Sequence, residues 1–145
     1  MTPDIDLVLA PVDGSDRAEA ALTRAVAVAD RFNATVHVLH VVDESVIRGM
    51  DDGDVEPETV AADQLSVVDA ATERTEDVEI SQSTAVGFSQ SHLRQHPGSV
   101  ILDVAEEMAA DFVVVPREPG TEPDETLGKS AQYVVEYASQ PVLSV

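Results

Sequence analysis

The sequence contains no cysteine and no tryptophan, and aromatic residues make up only 3% of its 145 residues. Without cysteine there can be no disulfide framework, thiol nucleophile, thiolate metal site or iron–sulfur cluster. The lack of disulfides points to an intracellular protein. Because aromatics are so few, the interior must be built mainly from valine, alanine, leucine and isoleucine. The hydrophobic content of 43% is sufficient for one such core.

Long apolar segments are also lacking. No run approaches the roughly 20 residues needed to span a bilayer. The first residues include Asp4 and Asp6, whereas a signal peptide begins with basic residues. We therefore expect a cytoplasmic protein with one domain over residues 1–145.

Basic residues are scarce. There are 28 acidic residues against 8 basic ones, giving a net charge of −20, and Lys129 is the only lysine. Nucleic acids and anionic membranes are poor candidate partners, because both require clustered lysine and arginine. An acidic patch for one basic partner is an alternative, but the carboxylates are spread along the whole chain. This composition predicts a protein from an extreme halophile.

Apolar runs alternate with segments of helical periodicity, which predicts five strands and four helices in a three-layer α/β/α sandwich with an open parallel sheet. The segment 78–86 alternates apolar and polar residues and is predicted at a sheet edge. Ligands of such sheets bind beyond the carboxyl ends of the strands, here after Pro11, Val42 and Val115. The predicted strands are 5–11, 34–42, 78–86, 111–115 and 142–145, and the predicted helices are 16–32, 58–74, 97–108 and 127–138.

Two segments suggest metal ligands only weakly. Residues 43–57 are rich in aspartate, glutamate and glycine, which predicts a solvated loop; a carboxylate cation site is the alternative, although no calcium-loop pattern is present. His92 and His96 have helical metal-ligand spacing, but no nearby carboxylate completes a set and Pro97 follows at once. No metal site is expected.

Four segments carry a resemblance to a known family: LVLAPVDGSD at 7–16, VHVLHVV at 36–42, HPGSVILDVAEE at 96–107 and LGKSAQYVV at 127–135. They resemble the universal stress protein family. The resemblance implies an adenine nucleotide alpha hydrolase-like fold with strand order 3-2-1-4-5. It also implies homodimers in many members, and two subclasses that differ in whether they bind ATP.

The ATP-binding subclass carries Gly-x2-Gly-x9-Gly-(Ser/Thr) after the fourth strand, and this sequence departs from that pattern. Pro116 stands at the first glycine position, and the second falls on Pro119 or is displaced to Gly120. Lys129 occupies the hydroxyl position, with Ser130 one residue late. Proline has no N–H to donate to a phosphate and cannot adopt positive φ. The carboxylates Glu118, Glu122, Asp124 and Glu125 add repulsion.

We therefore expect no cofactor, with ATP as the alternative. If a nucleotide binds, the resemblance assigns its contacts to Asp13 beside the nucleoside, Val41 beside the adenine, and Gly120, Gly128 and Ser130 at the phosphates. Asp13 could equally cap the turn or the following helix. Val41 would be apolar in either case.

No catalytic residue is predicted. There is no Gly-x-Ser-x-Gly elbow, and capping explains Ser15 and Ser99 at helix starts. His37 and His40 should lie on opposite faces of a buried strand, as core or strand-end residues that are hydrogen-bonded locally rather than as ligands. The sequence thus predicts a non-catalytic stress-response module with an unidentified protein partner. The alternative is an ATP-binding member with slow or no hydrolysis.

The apolar segment from Pro141 to Val145 is predicted to be an edge strand with uncovered backbone groups. Antiparallel pairing with the same strand of a second copy would cover them, which predicts a homodimer. Leu143→Pro is the corresponding disruptive substitution.

Overall fold

The computed structural model describes residues 4–13, 16–88, 97–116 and 128–145, which form five strands and five helices. None of the described helices is long and apolar enough to cross a membrane. The strands are β1 (Leu7–Val12), β2 (Thr35–Asp43), β3 (Ile80–Phe88), β4 (Phe112–Val115) and β5 (Val142–Ser144). The helices are α1 (Asp16–Phe32), α2 (Glu44–Asp51), α3 (Pro57–Glu73), α4 (Pro97–Glu107) and α5 (Gly128–Tyr137).

All five strands form one parallel sheet in the order β3-β2-β1-β4-β5. The predicted fold class, strand order and edge position of β3 are confirmed. β1 is central and pairs with β2 on one side and β4 on the other. The winding direction reverses between β1 and β4, so their carboxyl ends flank the crevice where sheets of this kind bind ligands.

The central strands are apolar on both faces because helices cover both sides of the sheet. Alternate residues of each strand point to opposite faces and thereby enter two separate hydrophobic clusters. One cluster packs with α1 and includes Val8, Ala10, Val12, Val36, Val38 and Val114. The other packs with α4 and α5 and includes Leu9, Leu39, Val41, Val113, Val115, Ile101 and Val134.

Helix α1 ends where the sequence predicts. Asn33 has a φ of 57°, the left-handed conformation that asparagine tolerates better than most residues. The backbone N–H of Ala34 donates to the carbonyl of Ala29 at 2.8 Å, and that of Asn33 donates to Asp30 at 3.4 Å. These two bonds form a Schellman motif, which satisfies the last carbonyls of α1 and directs the chain into β2.

The prediction of a solvated loop over residues 43–57 is wrong for its first half, where α2 lies. Val46, Ile47 and Met50 recur at helical spacing and are half-buried, and α2 contacts β2 and β3. This apolar stripe outweighs the acidic composition of the segment. The loop is limited to residues 52–56, where Gly53 turns the chain with a φ of 82°.

Candidate functional site

The crevice at the carboxyl ends of β1 and β4 is the candidate site. β1 and β4 pair in register, with Val8 beside Phe112 and Leu9 beside Val113. β1 ends at Val12 and β4 ends at Val115, so Asp13 and Pro116 are the first residues after these two strands. Asp13 is half-buried, and Pro116 is buried. The acidic residue and the first position of the loop that the family resemblance assigns to a nucleotide therefore both lie at the carboxyl-end edge of the sheet.

Val41 belongs to the hydrophobic cluster that packs between the sheet and helices α4 and α5. It lies on β2 with 5% of its surface exposed, in the same hydrophobic cluster as Leu39 and Val115. Core packing alone accounts for an apolar residue at this position. Val41 therefore does not discriminate between a site that binds adenine and one that does not.

Two of the predicted phosphate contacts lie at the start of α5. Gly128 and Ser130 lie in the first turn of this helix, whose ten residues run from Gly128 to Tyr137. A helix N-terminus presents unpaired backbone N–H groups and a partial positive charge, which favour anions. Gly120, the remaining predicted phosphate contact, lies outside the described residues, as do all residues from 117 to 127.

Residues 5–145 match the model of the Universal stress protein family. The chain belongs to this family. A comparison with curated proteins gave no match.

Solved structures of universal stress proteins share the fold along nearly the whole chain. One in complex with cAMP has 22% sequence identity and a TM-score of 0.72, covering 99% of this chain and 98% of that one. UspA from Lactobacillus plantarum has 27% identity and a TM-score of 0.70, covering 99% of both chains. A protein from Archaeoglobus fulgidus in complex with dAMP has 23% identity and a TM-score of 0.62, covering 97% and 96%.

This universal stress protein shows no metal centre in the part of the chain that is described. No group of three or more histidine, aspartate or glutamate side chains in that part could hold a metal ion. The carboxylates of Asp51, Asp52, Asp54 and Glu56 are all exposed. His92 and His96 lie outside the described residues.

The two histidines of β2 are buried on opposite faces of the strand, as the sequence predicts, and both are bonded to the neighbouring edge strand β3. His37 lies with Nδ1 2.7 Å from Ser81 Oγ and Nε2 2.7 Å from Ser83 Oγ. His40 lies on the opposite face, with Nε2 2.9 Å from Gln82 Oε1. These β3 partners do not follow from the sequence pattern of β2 alone. The i, i+2 spacing of Ser81 and Ser83 is a signal that they share a face, but pairing them with His37 requires the register between β2 and β3.

Burial lowers the pKa of both histidines below the ordinary value of 6.5. For His37, the nearby His40 lowers the pKa further, since two positive charges would repel. For His40, the hydrogen bond to Gln82 opposes the effect of burial without cancelling it. Both imidazoles are therefore neutral at pH 7, and each can accept one hydrogen bond.

These pKa shifts predict how stability depends on pH. The folded pKa lies below the unfolded value of about 6.5, so the unfolded chain binds protons first as the pH falls. The two histidines thus contribute stability fully above about pH 6.5 and lose it below that value, with a limiting slope of about 1.4 kcal/mol per pH unit for each.

Urea unfolding between pH 5 and pH 8 in molar KCl measures this slope. A His37→Gln/His40→Gln variant is the matched control, because it keeps polar side chains on β2 and removes both of its histidines, while His92 and His96 are present in both proteins. We expect the free energy of unfolding to fall more steeply with acid in the wild type than in this variant. If the free energy of unfolding changed equally with pH in both proteins, the lowered pKa values of His37 and His40 would be contradicted.

Proposed function

We propose that this universal stress protein is a non-catalytic, dimeric regulatory module in which the nucleotide site at the β1–β4 crevice is degenerate. The observation that supports this most is Pro116. It is buried directly after β4, at the position where the resemblance puts the first glycine of the ATP-binding subclass. A proline there offers no N–H to a phosphate, and its ring fills space that a glycine leaves open.

The rest of the crevice keeps the features that both subclasses share. Asp13 follows β1, Val41 lies in the apolar cluster with Leu39 and Val115, and α5 begins at Gly128. Such a scaffold can change conformation or bind a protein without chemistry at the nucleotide site. We propose no catalytic residue there, and a protein partner in the cytoplasm as the target of regulation.

The second candidate is an ATP-binding universal stress protein with slow or no hydrolysis. It is favoured by the solved relatives in complex with cAMP and dAMP, which share this fold. In that case the contacts would be Asp13, Val41, Gly120, Gly128 and Ser130. The two candidates differ in one measurable quantity, the affinity for a nucleotide in molar salt.

Strand β5 supports the proposed dimer. It pairs only with β4 among the described strands, so its other side is a sheet edge. Val142 is half-buried and Leu143 is 37% exposed, which leaves apolar surface at that edge. Antiparallel pairing with β5 of a second copy would satisfy the outward backbone groups and form a two-fold interface.

The register shows that Leu143→Pro is not the best disruption of this interface. The carbonyl of Pro141 accepts from Val113, and the N–H of Val145 donates to Val115. Residues 141, 143 and 145 therefore direct their backbone groups towards β4. Ser144, one residue out of phase, directs its N–H outwards. Proline at Leu143 would also remove a hydrogen bond between β5 and β4, whereas proline at Ser144 would act on the outer edge alone.

We expect Ser144→Pro to convert a dimer into a monomer with the fold retained, because proline is tolerated where its nitrogen faces outwards from an edge strand. Light scattering in molar KCl measures the mass, and circular dichroism verifies the fold. Ser144→Ala is the matched control: it removes the hydroxyl and keeps the N–H, so it should remain dimeric. A monomeric wild type would contradict the proposed dimer.

A further inference from the structure

Outside the nucleotide crevice, the structure places His37 between two serine hydroxyls. Both ring nitrogens lie 2.7 Å from an oxygen, Nδ1 from Ser81 Oγ and Nε2 from Ser83 Oγ. His37 is 5% exposed, while both serines are exposed on the edge strand β3. A buried base thus contacts hydroxyls that an external reagent can reach.

The hydrogen-bond inventory of imidazole restricts how this group works. A neutral imidazole carries one N–H donor and one acceptor nitrogen. If Nδ1–H donates to Ser81, then Nε2 accepts the proton of Ser83. In that tautomer Ser81 orients the ring and Ser83 is the hydroxyl that the base can deprotonate, whereas the other tautomer exchanges the two roles. This is the arrangement of nucleophile, base and orienting group that activates serine in other proteins.

The protonation state of His37 at pH 7 is the one that a general base requires. Burial and the neighbouring His40 lower the pKa of His37, so the ring is neutral at pH 7 and free to take a proton. Among the ionisable groups of β2 and β3, the nearby His40 points to the other face of the sheet and is bonded to Gln82.

The edge position of β3 adds a donor beside Ser83. The carbonyl of Glu79 accepts from Val36 on β2, so odd-numbered residues of β3 direct their backbone groups towards β2. The N–H of Thr84, immediately after Ser83, therefore points to the outer side, where no described strand pairs with β3. A backbone N–H following the nucleophile can stabilise negative charge on the acyl oxygen.

We propose that Ser83 is a nucleophile that accepts an acyl group from a small activated ester, with His37 as its general base and Ser81 as a positioning residue. In this step Ser83 Oγ forms a bond to the carbonyl carbon, and its proton passes to Nε2 of His37. The bond between the carbonyl carbon and the leaving oxygen breaks, and the proton passes from His37 to that oxygen. The product is an O-acylserine and an alcohol or phenol.

The proposal concerns acylation of one serine and does not require turnover. It makes Ser83 a site of covalent modification, which is compatible with a regulatory protein. Ser83 is also remote from Pro116 and the nucleotide crevice. The crevice lies at β1 and β4, whereas β3 is an edge strand separated from β1 by β2.

The test uses p-nitrophenyl acetate with the full chain in molar KCl, and peptide mapping by mass spectrometry locates the acetyl group. Ser66, an exposed serine on α3, is the internal comparison. General-base assistance is worth about 10²-fold or more, so Ser83 should be acetylated at least about 10²-fold faster than Ser66. Ser83→Ala should abolish that fast fraction, whereas Ser66→Ala should leave it unchanged.

The pH profile separates an activated serine from an ordinary one. With His37 as the base, the acetylation rate should follow the neutral fraction of the ring and become flat above about pH 7, since the pKa of His37 lies below 6.5. An unassisted hydroxyl would instead gain about tenfold per pH unit well beyond pH 7, because its own pKa is far higher. His37→Gln should lose the flat profile together with the fast rate.

Ser81 has its own test, because a positioning residue acts through the ring. Ser81→Ala should slow acetylation of Ser83 and alter its pH profile, and Ser81→Thr, which restores a hydroxyl, should recover both. Acetylation of Ser83 no faster than that of Ser66 would overturn the proposal, as would an unchanged rate in folded His37→Gln. If His37→Gln does not fold, a rate that rises tenfold per pH unit in the wild type overturns it.

Discussion

Magnesium ATP is expected to bind this protein no more tightly than about 0.1 mM, and the purified protein should carry no nucleotide. In an intact loop several backbone N–H groups meet the phosphates, and each charge-assisted bond contributes about 1.5–3 kcal/mol. Pro116 and Pro119 remove two such donors, a loss of about 3–6 kcal/mol. At about 1.4 kcal/mol per tenfold change, a micromolar site weakens by about 10²- to 10⁴-fold.

Salt cannot rescue this loss. Concentrated KCl screens the repulsion between the triphosphate and Glu118, Glu122, Asp124 and Glu125, but it does not replace a missing N–H. For this reason the decisive titration is calorimetric, in molar KCl with magnesium, where only the missing donors oppose binding. The same experiment with cAMP and dAMP compares this chain with the solved relatives that hold those nucleotides.

Two variants make the experiment sharper. Pro116→Gly/Pro119→Gly restores both donors and the freedom of the backbone, so it should bind ATP at least about tenfold more tightly than the wild type. Pro116→Ala/Pro119→Ala restores the donors but not positive φ, and should gain less. Micromolar binding by the wild type that Gly128→Val abolishes would favour the ATP-binding candidate instead.

The sheet could be predicted because its central strands are nearly continuous apolar runs. Val8, Leu9, Val36, Val38 and Val114 are all at most 1% exposed, and a run of such residues between turns predicts a strand buried on both faces. The strand order is implied by the resemblance to the family, and the structure confirms it. The location of the candidate site follows from the rule that ligands of such sheets bind beyond the carboxyl ends of the strands.

Other features depend on information that a linear pattern lacks. The acidic composition of residues 43–57 predicts a loop, but packing of Val46, Ile47 and Met50 against the sheet stabilises α2, and the strength of that packing cannot be read from composition. The contacts of His37 with Ser81 and Ser83 join residues more than forty positions apart, and only the β2–β3 register brings them together. A one-residue slip would place both serines on the other face.

The direction of the backbone groups of β5 is another feature that the sequence pattern does not determine. Residues 141–145 are apolar except for Ser144, and this pattern predicts an edge strand. It does not show which of them face β4, because the phase of the strand is set by its partner. The hydrogen bonds from Val113 to Pro141 and from Val145 to Val115 show that the N–H of Ser144 faces outwards. For this reason Ser144→Pro replaces Leu143→Pro as the variant that tests the dimer.

The melting temperature is expected to rise by about 10 °C or more between dilute buffer and molar KCl, which corresponds to about 3 kcal/mol for a domain of this size. The net charge of −20 lies on a surface of only 8521 Å². Two like charges about 10 Å apart in water repel by about 0.4 kcal/mol, and a compact fold creates many such pairs. The Debye length falls from about 30 Å at 0.01 M salt to about 3 Å at 1 M, so molar salt removes nearly all of this repulsion.

A charge-reduced variant separates screening from other effects of salt. Asp51→Asn/Asp52→Asn/Asp54→Asn/Glu56→Gln neutralises four exposed carboxylates in and after the end of α2. Its melting temperature should exceed that of the wild type in dilute buffer and equal it in molar KCl, because screening leaves little repulsion to relieve. A neutral osmolyte should stabilise both proteins equally.

The shape of the salt response tests the halophilic origin that we infer from composition. Screening acts mostly between 0.01 M and about 1 M, whereas strengthened burial of apolar surface continues to grow at higher concentrations of excluded salts. A steep rise that levels off near molar KCl and is reduced in the charge-reduced variant is the expected result. A melting temperature that does not change with KCl would remove the halophile interpretation, since an acidic surface that costs no stability in dilute buffer has no need of concentrated salt.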